Sequence, residues 1–257
     1  MTTKENILKK YSSPYNLYFR FRHFFPKILR PYIESIIFTP PHRNKNTHQF
    51  DLCISLGNNC LSANSLITLK LRTRSFPFDW LYGVPLERNL DWIINDFHGF
   101  LRYKDLDFPE QVVGRDKHLR VKNLSTNTFF IHDFLTSTFS EFLTVEQKYK
   151  RRCSRLLHSC SGKSPLFLYI ESNPDNIDYL SKAKHILEKL SQVKTKLNAK
   201  KVTLLIIYTS TKESENINLF QHNNSHLYLF GSQKTRPKDH KDRLELAFLI
   251  KEILKTI

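Results

Sequence analysis

Two side chains in this sequence could carry a nucleophilic reaction. Cys60 follows Leu56-Gly57-Asn58-Asn59 and precedes Leu61-Ser62-Ala63, so it stands where a short apolar strand, Phe50 to Ile54, turns into a helix. Gly57, Asn58 and Asn59 tolerate the left-handed backbone that such a turn demands. A helix N-terminus offers unpaired N–H groups and partial positive charge, which favour thiolate over thiol. The alternative is a small apolar residue that starts a core helix. His132 ends the apolar run Thr128-Phe129-Phe130-Ile131 and has the residue type of a general base. Asp133 follows it, but adjacent strand residues face opposite ways, so Asp133 need not orient the imidazole. A histidine at a strand end is more often structural.

A second dense stretch is Leu71-Arg72-Thr73-Arg74-Ser75-Phe76-Pro77-Phe78-Asp79-Trp80. Pro77 forces extended backbone at Phe76. Arg72, Ser75, Asp79 and Trp80, with Asn59 of the first turn, are candidates for substrate binding, because ligand sites set a few polar groups among aromatics. The competing reading is a buried loop whose Asp79 pairs with Arg72 or caps the helix marked by Leu86, Leu90, Ile93 and Ile94. No cofactor or metal is expected. Cys53, Cys60, Cys153 and Cys160 form no CxxC pair, and no clear DxD motif is present. Gly162-Lys163-Ser164 lacks the earlier glycine of a phosphate-binding loop and precedes its strand instead of following one.

The elements that must hold these residues read as α/β. Leu166 to Ile170, Val202 to Tyr208 and His226 to Phe230 are strands apolar on both faces, separated by amphipathic helices over Glu146 to His158, Ile177 to Leu197 and Asp239 to Ile257. That pattern predicts a three-layer fold with a mainly parallel sheet, Rossmann-like or esterase-like, and helices on both faces. Ligands then bind at the carboxyl ends of the strands, where Gly57 to Cys60, Glu171-Ser172-Asn173 and Thr209-Ser210 should gather. Asp239-His240 is a further acid and imidazole pair, although such a pair more often only starts a helix. Residues 96–128 give no clear pattern; Val112-Val113-Gly114-Arg115 is at most a short strand. The expected organisation is a basic aromatic arm over 1–48, a linker near Pro40-Pro41, and one α/β domain over 49–257.

The chain has 40 basic and 24 acidic residues, a formal charge of +16, which implies an anionic or glycan-type substrate but no specific nucleic acid, since no zinc-finger, KH or RRM signature accompanies it. The arm interleaves Tyr18, Phe19, Phe21, Phe24 and Phe25 with Arg20, Arg22 and Lys27, a composition suited to an anionic membrane surface or to packing on the main domain. The N-terminus lacks the apolar core of a signal peptide, and no apolar run approaches the roughly 20 residues of a membrane span. The expected location is cytoplasmic, at the inner face of the membrane if the arm binds there.

Three blocks, Ile54-Ser55-Leu56-Gly57 through Cys60 and Ala63, Leu71-Arg72 through Ser75 and Pro77-Phe78-Asp79-Trp80, and His132-Asp133-Phe134, resemble a bacterial domain-of-unknown-function family described as papain-like cysteine peptidases. The resemblance is close over about residues 50–135. It implies Cys60 as nucleophile, His132 as general base, Asp133 or Asp79 as the orienting acid, and the Asn58-Asn59-Cys60 turn as a source of oxyanion donors. It also implies a role beside surface-polysaccharide or lipooligosaccharide biosynthesis. A papain fold pairs a helical lobe with an antiparallel barrel, which conflicts with the parallel pattern downstream, so a thiol acyltransferase or esterase stands beside a peptidase. The alternative class is a glycosyltransferase of lipopolysaccharide or capsule assembly that uses Asp79, Arg72 and Glu171 instead of a thiol.

Overall fold

The computed structural model describes residues 49–109, 118–171, 178–209, 217–232, 235, 237 and 240–257. The basic arm, Val112 to Arg115, Ser172-Asn173, Ser210 and Asp239 lie outside them. The strands are β1 (Leu52–Ser55), β2 (Leu81–Tyr82), β3 (Leu106–Asp107), β4 (Leu119–Asn123), β5 (Thr128–Phe134), β6 (Pro165–Glu171), β7 (Val202–Thr209), β8 (Ile217–His222) and β9 (Ser225–Ser232). The helices are α1 (Leu61–Thr68), α2 (Leu86–Ile94), α3 (Phe139–Ser159), α4 (Tyr179–Lys196) and α5 (His240–Thr256).

Five strands form the central sheet in the order β1, β6, β7, β9, β8. The first four run parallel, and β8 closes one edge as the antiparallel partner of β9. All seven residues of β6 are buried, as continuous apolar strands in a doubly covered sheet must be. Alternation along it divides the core. Leu166, Leu168 and Ile170 face α1 and α5 through Leu66, Leu246 and Ile250, whereas Phe167 and Tyr169 face the cluster that takes Leu90 of α2, Leu156 of α3 and Leu190 of α4. Each fully buried Leu or Ile contributes about 1.5–3 kcal/mol of transfer free energy, so this two-sided burial is the main force holding the layers. The three-layer, mainly parallel α/β fold expected from the sequence is the one observed.

A second sheet was not foreseen. β2, β5, β4 and β3 pair antiparallel in that order; β5 contains the expected apolar run Thr128 to Ile131, whereas β3 and β4 fall in the stretch over 96–128 that showed no clear pattern. Two of its strands have only two residues each, too short for a period of two to show. The helices hold with shifted ends. α3 begins at Phe139, ahead of the expected Glu146, because Thr138 caps it by accepting from the Glu141 N–H at 3.3 Å. α4 begins after Asp178, whose carboxylate accepts from the Leu180 and Ser181 N–H groups. Among the described residues no helix is long and apolar enough to cross a membrane.

Candidate functional site at the Cys60 turn

β1 ends at the carboxyl edge of the sheet, and the chain leaves it through a turn built residue by residue. Ser55 Oγ accepts from the Gly57 N–H at 3.2 Å, while the buried Asn89 donates its amide to the Leu56 carbonyl. Gly57 has φ +80°, and a Cβ there would lie 2.8 Å from the Phe78 carbonyl oxygen. Glycine is required on both counts. Asn58 follows at φ +71°, and its carbonyl accepts from the Gly83 N–H at 3.0 Å. The Cys60 turn is thereby stapled to the Phe78–Gly83 segment that carries Trp80.

Cys60 is the residue before α1, partly exposed, with its carbonyl accepting from the Asn64 N–H. Asn59 Oδ1 accepts from the Leu61 N–H at 2.8 Å, so this predicted binding residue is engaged in the turn itself, and Cys60, the N-cap residue, has no side-chain cap bond. Ser62 and Ala63, which follow Leu61 in α1, are fully buried. The other three thiols differ. Burial pushes Cys53, Cys153 and Cys160 each up to about 12, with the cations Arg152 and Lys163 pulling the last two slightly back, so all three are locked as thiols.

Two residues on either side of Cys60 reach back to the end of β6. Asn58 Nδ2 donates to Glu171 Oε1 at 2.7 Å, and Ser62 Oγ accepts from the Ile170 N–H at 3.1 Å. Glu171, only 5% exposed, also accepts from the hydroxyls of Tyr169 and Tyr179 at 3.1 and 3.3 Å. Burial and the Glu171 charge beside them push both phenols up, so they stay donors. The expected gathering of Gly57 to Cys60 with Glu171 at the strand ends is therefore present, and Thr209 joins it through a 3.5 Å bond from its hydroxyl to the Glu171 carbonyl. Sequence reading placed Glu171 here but missed its link to Asn58, for which no local signal exists.

The second block folds around Asp79. Its Oδ2 accepts from Arg72 Nη2 at 2.5 Å, Arg72 Nε at 3.1 Å and the Phe76 N–H at 2.8 Å. Arg72 also donates to Ser75 Oγ at 2.9 Å, and Arg155 of α3 donates to the Ser75 carbonyl at 2.6 Å. Asp79 is 0% exposed, and burial pushes its carboxyl up against the opposing pull of the Phe76 N–H and Arg72. Of the two local readings of this block, the Arg72–Asp79 pair is the one formed, and α2 begins after Pro85 with no side-chain cap.

Trp80 carries the arrangement outward. The Arg72 guanidinium lies 5.7 Å from the Trp80 ring centre, and the exposed His132 ring meets Trp80 edge-on at 6.0 Å and His118 at 6.2 Å. A bulge aims His132. Leu119 pairs with Phe134 and Val121 with Phe130, so three residues of β5 stand opposite Arg120 alone. Asp133 turns inward, where it accepts from the Tyr149 hydroxyl at 2.7 Å and pairs with Lys148 at 2.6 Å. The structure thus brings Arg72, Ser75, Asp79, Trp80 and His132 into one run of contacts, and it takes Asp133 away from the imidazole. No hydrogen bond links Cys60 Sγ to His132 among the described residues.

A hollow of about 200 Å³ lies between α1 and α5, lined by Leu61 next to Cys60, Ile67, Leu244 and Leu246 with Arg243. A wider one of about 800 Å³ sits against Asn223, Asn224 and the C-terminal half of α4. Asn224 bonds the first residue of β7, so that hollow belongs to the amino edge of the sheet, away from Cys60.

Comparison with known proteins bears on this site. A family model described as "Putative papain-like cysteine peptidase (DUF1796)" matches residues 51–211, a span that holds Cys60, Arg72, Asp79, His132 and Glu171. An uncharacterized protein of Acanthamoeba polyphaga mimivirus is 31% identical over 144 residues, 49% of this chain; the match spans 64% of that relative's length. No solved structure matches the chain. Because the family match runs over more than half of its length, the chain belongs to the family described as papain-like cysteine peptidases.

Proposed function

We propose that this protein is a thiol-dependent hydrolase or acyl transferase in which Cys60 is the nucleophile and His132 the general base. One observation carries the reading: of the four cysteines, only Cys60 stands at a helix mouth on the carboxyl edge of the sheet, while Cys53 lies within β1 with its thiol pushed up by desolvation and Cys153 and Cys160 are buried. In the reaction the Cys60 thiolate attacks an acyl carbon, and backbone N–H groups of the turn that carries Cys60 stabilise the oxyanion. His132, having taken the thiol proton, returns it to the leaving group as the carbon–heteroatom bond breaks. Water or an acceptor hydroxyl then attacks the thioester and releases Cys60. This chemistry requires Cys60 and His132 to come within hydrogen-bond reach when substrate is bound.

The substrate is an acyl-bearing, anionic or glycan-type molecule of surface-polysaccharide assembly. The +16 charge and the ring-backed Arg72 beside Trp80 and His132 favour such a ligand. The arm over 1–48 would bring the protein to the inner membrane face. A sugar transferase built on Asp79 and Glu171 is not put forward, because both carboxylates are buried and engaged.

The test is turnover of a small chromogenic ester or thioester by the full chain, with the folded state followed by circular dichroism. Cys60→Ala should lose at least about a hundredfold in rate with its spectrum intact. Undiminished turnover in that variant removes Cys60 from the chemistry.

A further inference from the structure

The Cys60 turn is held from both sides by consecutive residues of one strand. Asn58, two residues before the cysteine, is tied to Glu171, and Ser62, two residues after it, is tied to Ile170. The Ile170 N–H would be a ladder donor to β1 if β1 ran on. β1 ends at Ser55, whose register partner is Leu168, and the last ladder bond runs from the Leu56 N–H to the Leu168 carbonyl at 2.9 Å. The helix side chain of Ser62 takes over where the strand leaves, and Glu171 then holds the far side of the turn.

Asn58 is unusual in what it must satisfy. Its φ of +71° is one that glycine meets without strain and asparagine tolerates. Glycine would serve the backbone but has no amide to reach Glu171. Glu171 in turn is a carboxylate taken out of water, which demands donors. The Asn58 amide bond is shorter than those from the Tyr169 and Tyr179 hydroxyls, and a bond to a charged acceptor is about twice as strong as a neutral one.

We propose that Glu171 is a positioning residue of the Cys60 site, acting through Asn58 to fix the cysteine at the mouth of α1. The proposal rests on reading Cys60 as the nucleophile. It adds that a residue 113 positions from Asn58 in sequence sets the reactivity of that thiol without touching it. The Tyr169 and Tyr179 hydroxyls hold the second oxygen of Glu171, so its first oxygen is aimed at the turn.

The experiment is timed alkylation of the full chain by iodoacetamide at neutral pH, with the four cysteine peptides quantified separately by mass spectrometry. Amide hydrogen exchange over residues 59–64 is followed in parallel. In the wild type, Cys60 should react at least about tenfold faster than Cys53, Cys153 or Cys160. Asn58→Gly keeps the left-handed backbone and deletes the amide. It should slow Cys60 alkylation about fivefold or more and speed exchange over 59–64, with the other three thiols still protected. Glu171→Ala should do the same, and Glu171→Gln, which retains an acceptor oxygen, should recover part of the rate.

A Cys60 rate within about twofold of wild type and unchanged exchange in both Asn58→Gly and Glu171→Ala would overturn the proposal. Exposure of all four cysteines together would overturn it as well, by assigning the pair to the stability of the fold. An unreactive Cys60 in the wild type is a different result. It takes down the nucleophile, while the exchange measurement still decides whether Glu171 holds the turn.

Discussion

The Asn58 amide and the Glu171 carboxylate meet at 2.7 Å across 113 residues of sequence, at the point where β1 leaves the central sheet. Together with the bond from the Ile170 N–H to Ser62, this contact makes the end of β6 the reference frame for Cys60. The helix mouth is therefore tied to the central sheet, and Cys60 is placed between two residues that are each hydrogen-bonded to the end of β6.

Ser62 should matter out of proportion to its size. It is fully buried, and Ser62→Ala would strand the Ile170 N–H without its acceptor. The expected loss is about 1–3 kcal/mol in chemical denaturation. A variant as stable as wild type would mean that the strand end finds another acceptor.

Gly57→Ala meets two penalties at once, a φ of +80° and a Cβ 2.8 Å from the Phe78 carbonyl oxygen. Backbone oxygen cannot swing aside as a flexible side chain can. The expected cost is about 2–4 kcal/mol, read as a lower denaturant midpoint with the slope unchanged. A midpoint equal to wild type would contradict the close approach.

Asp79 gives a pH signature. Its folded carboxyl is pushed above the unfolded value, chiefly by burial. The folded chain therefore binds that proton more tightly, and the group's contribution to stability is fullest at low pH and declines as pH rises through and above the ordinary carboxylate range. Asp79→Asn lacks this dependence. Between about pH 4 and pH 6 the wild type should lose stability relative to Asp79→Asn, measured as the difference in denaturation midpoint. A difference that moves the other way would show that Arg72 outweighs burial.

His132 and Asp133 should separate experimentally. His132→Asn removes the exposed imidazole beside Trp80 and should slow ester turnover at least about a hundredfold with little change in stability. Tyr149→Phe deletes the hydroxyl that binds the inward-facing Asp133 and should cost about 1.5–3 kcal/mol of stability. Equal turnover in wild type and His132→Asn would leave Cys60 with a different base.

Local pattern and tertiary structure contributed different parts of this protein. The apolar runs at Leu166 to Ile170 and Val202 to Tyr208 announce a parallel sheet covered on both faces, because only such strands have no polar side to show water. Gly57-Asn58-Asn59 before Cys60 announces the turn, since left-handed backbone restricts residue type at the position itself. Of the small antiparallel sheet only the apolar run of β5 was legible. β2 and β3 are too short for a period to form, and β2 finds its partner in β5 far along the chain. Alternation along β5 warned that Asp133 need not serve His132, yet only the bulge opposite Arg120 shows where the imidazole goes. Sequence alone therefore determined the elements and the residue types able to do chemistry, because those follow from steric and solvation rules acting within a few residues. Which of those residues meet, as Asn58 meets Glu171 and Trp80 meets His132, was decided only when strands far apart in the chain were set side by side.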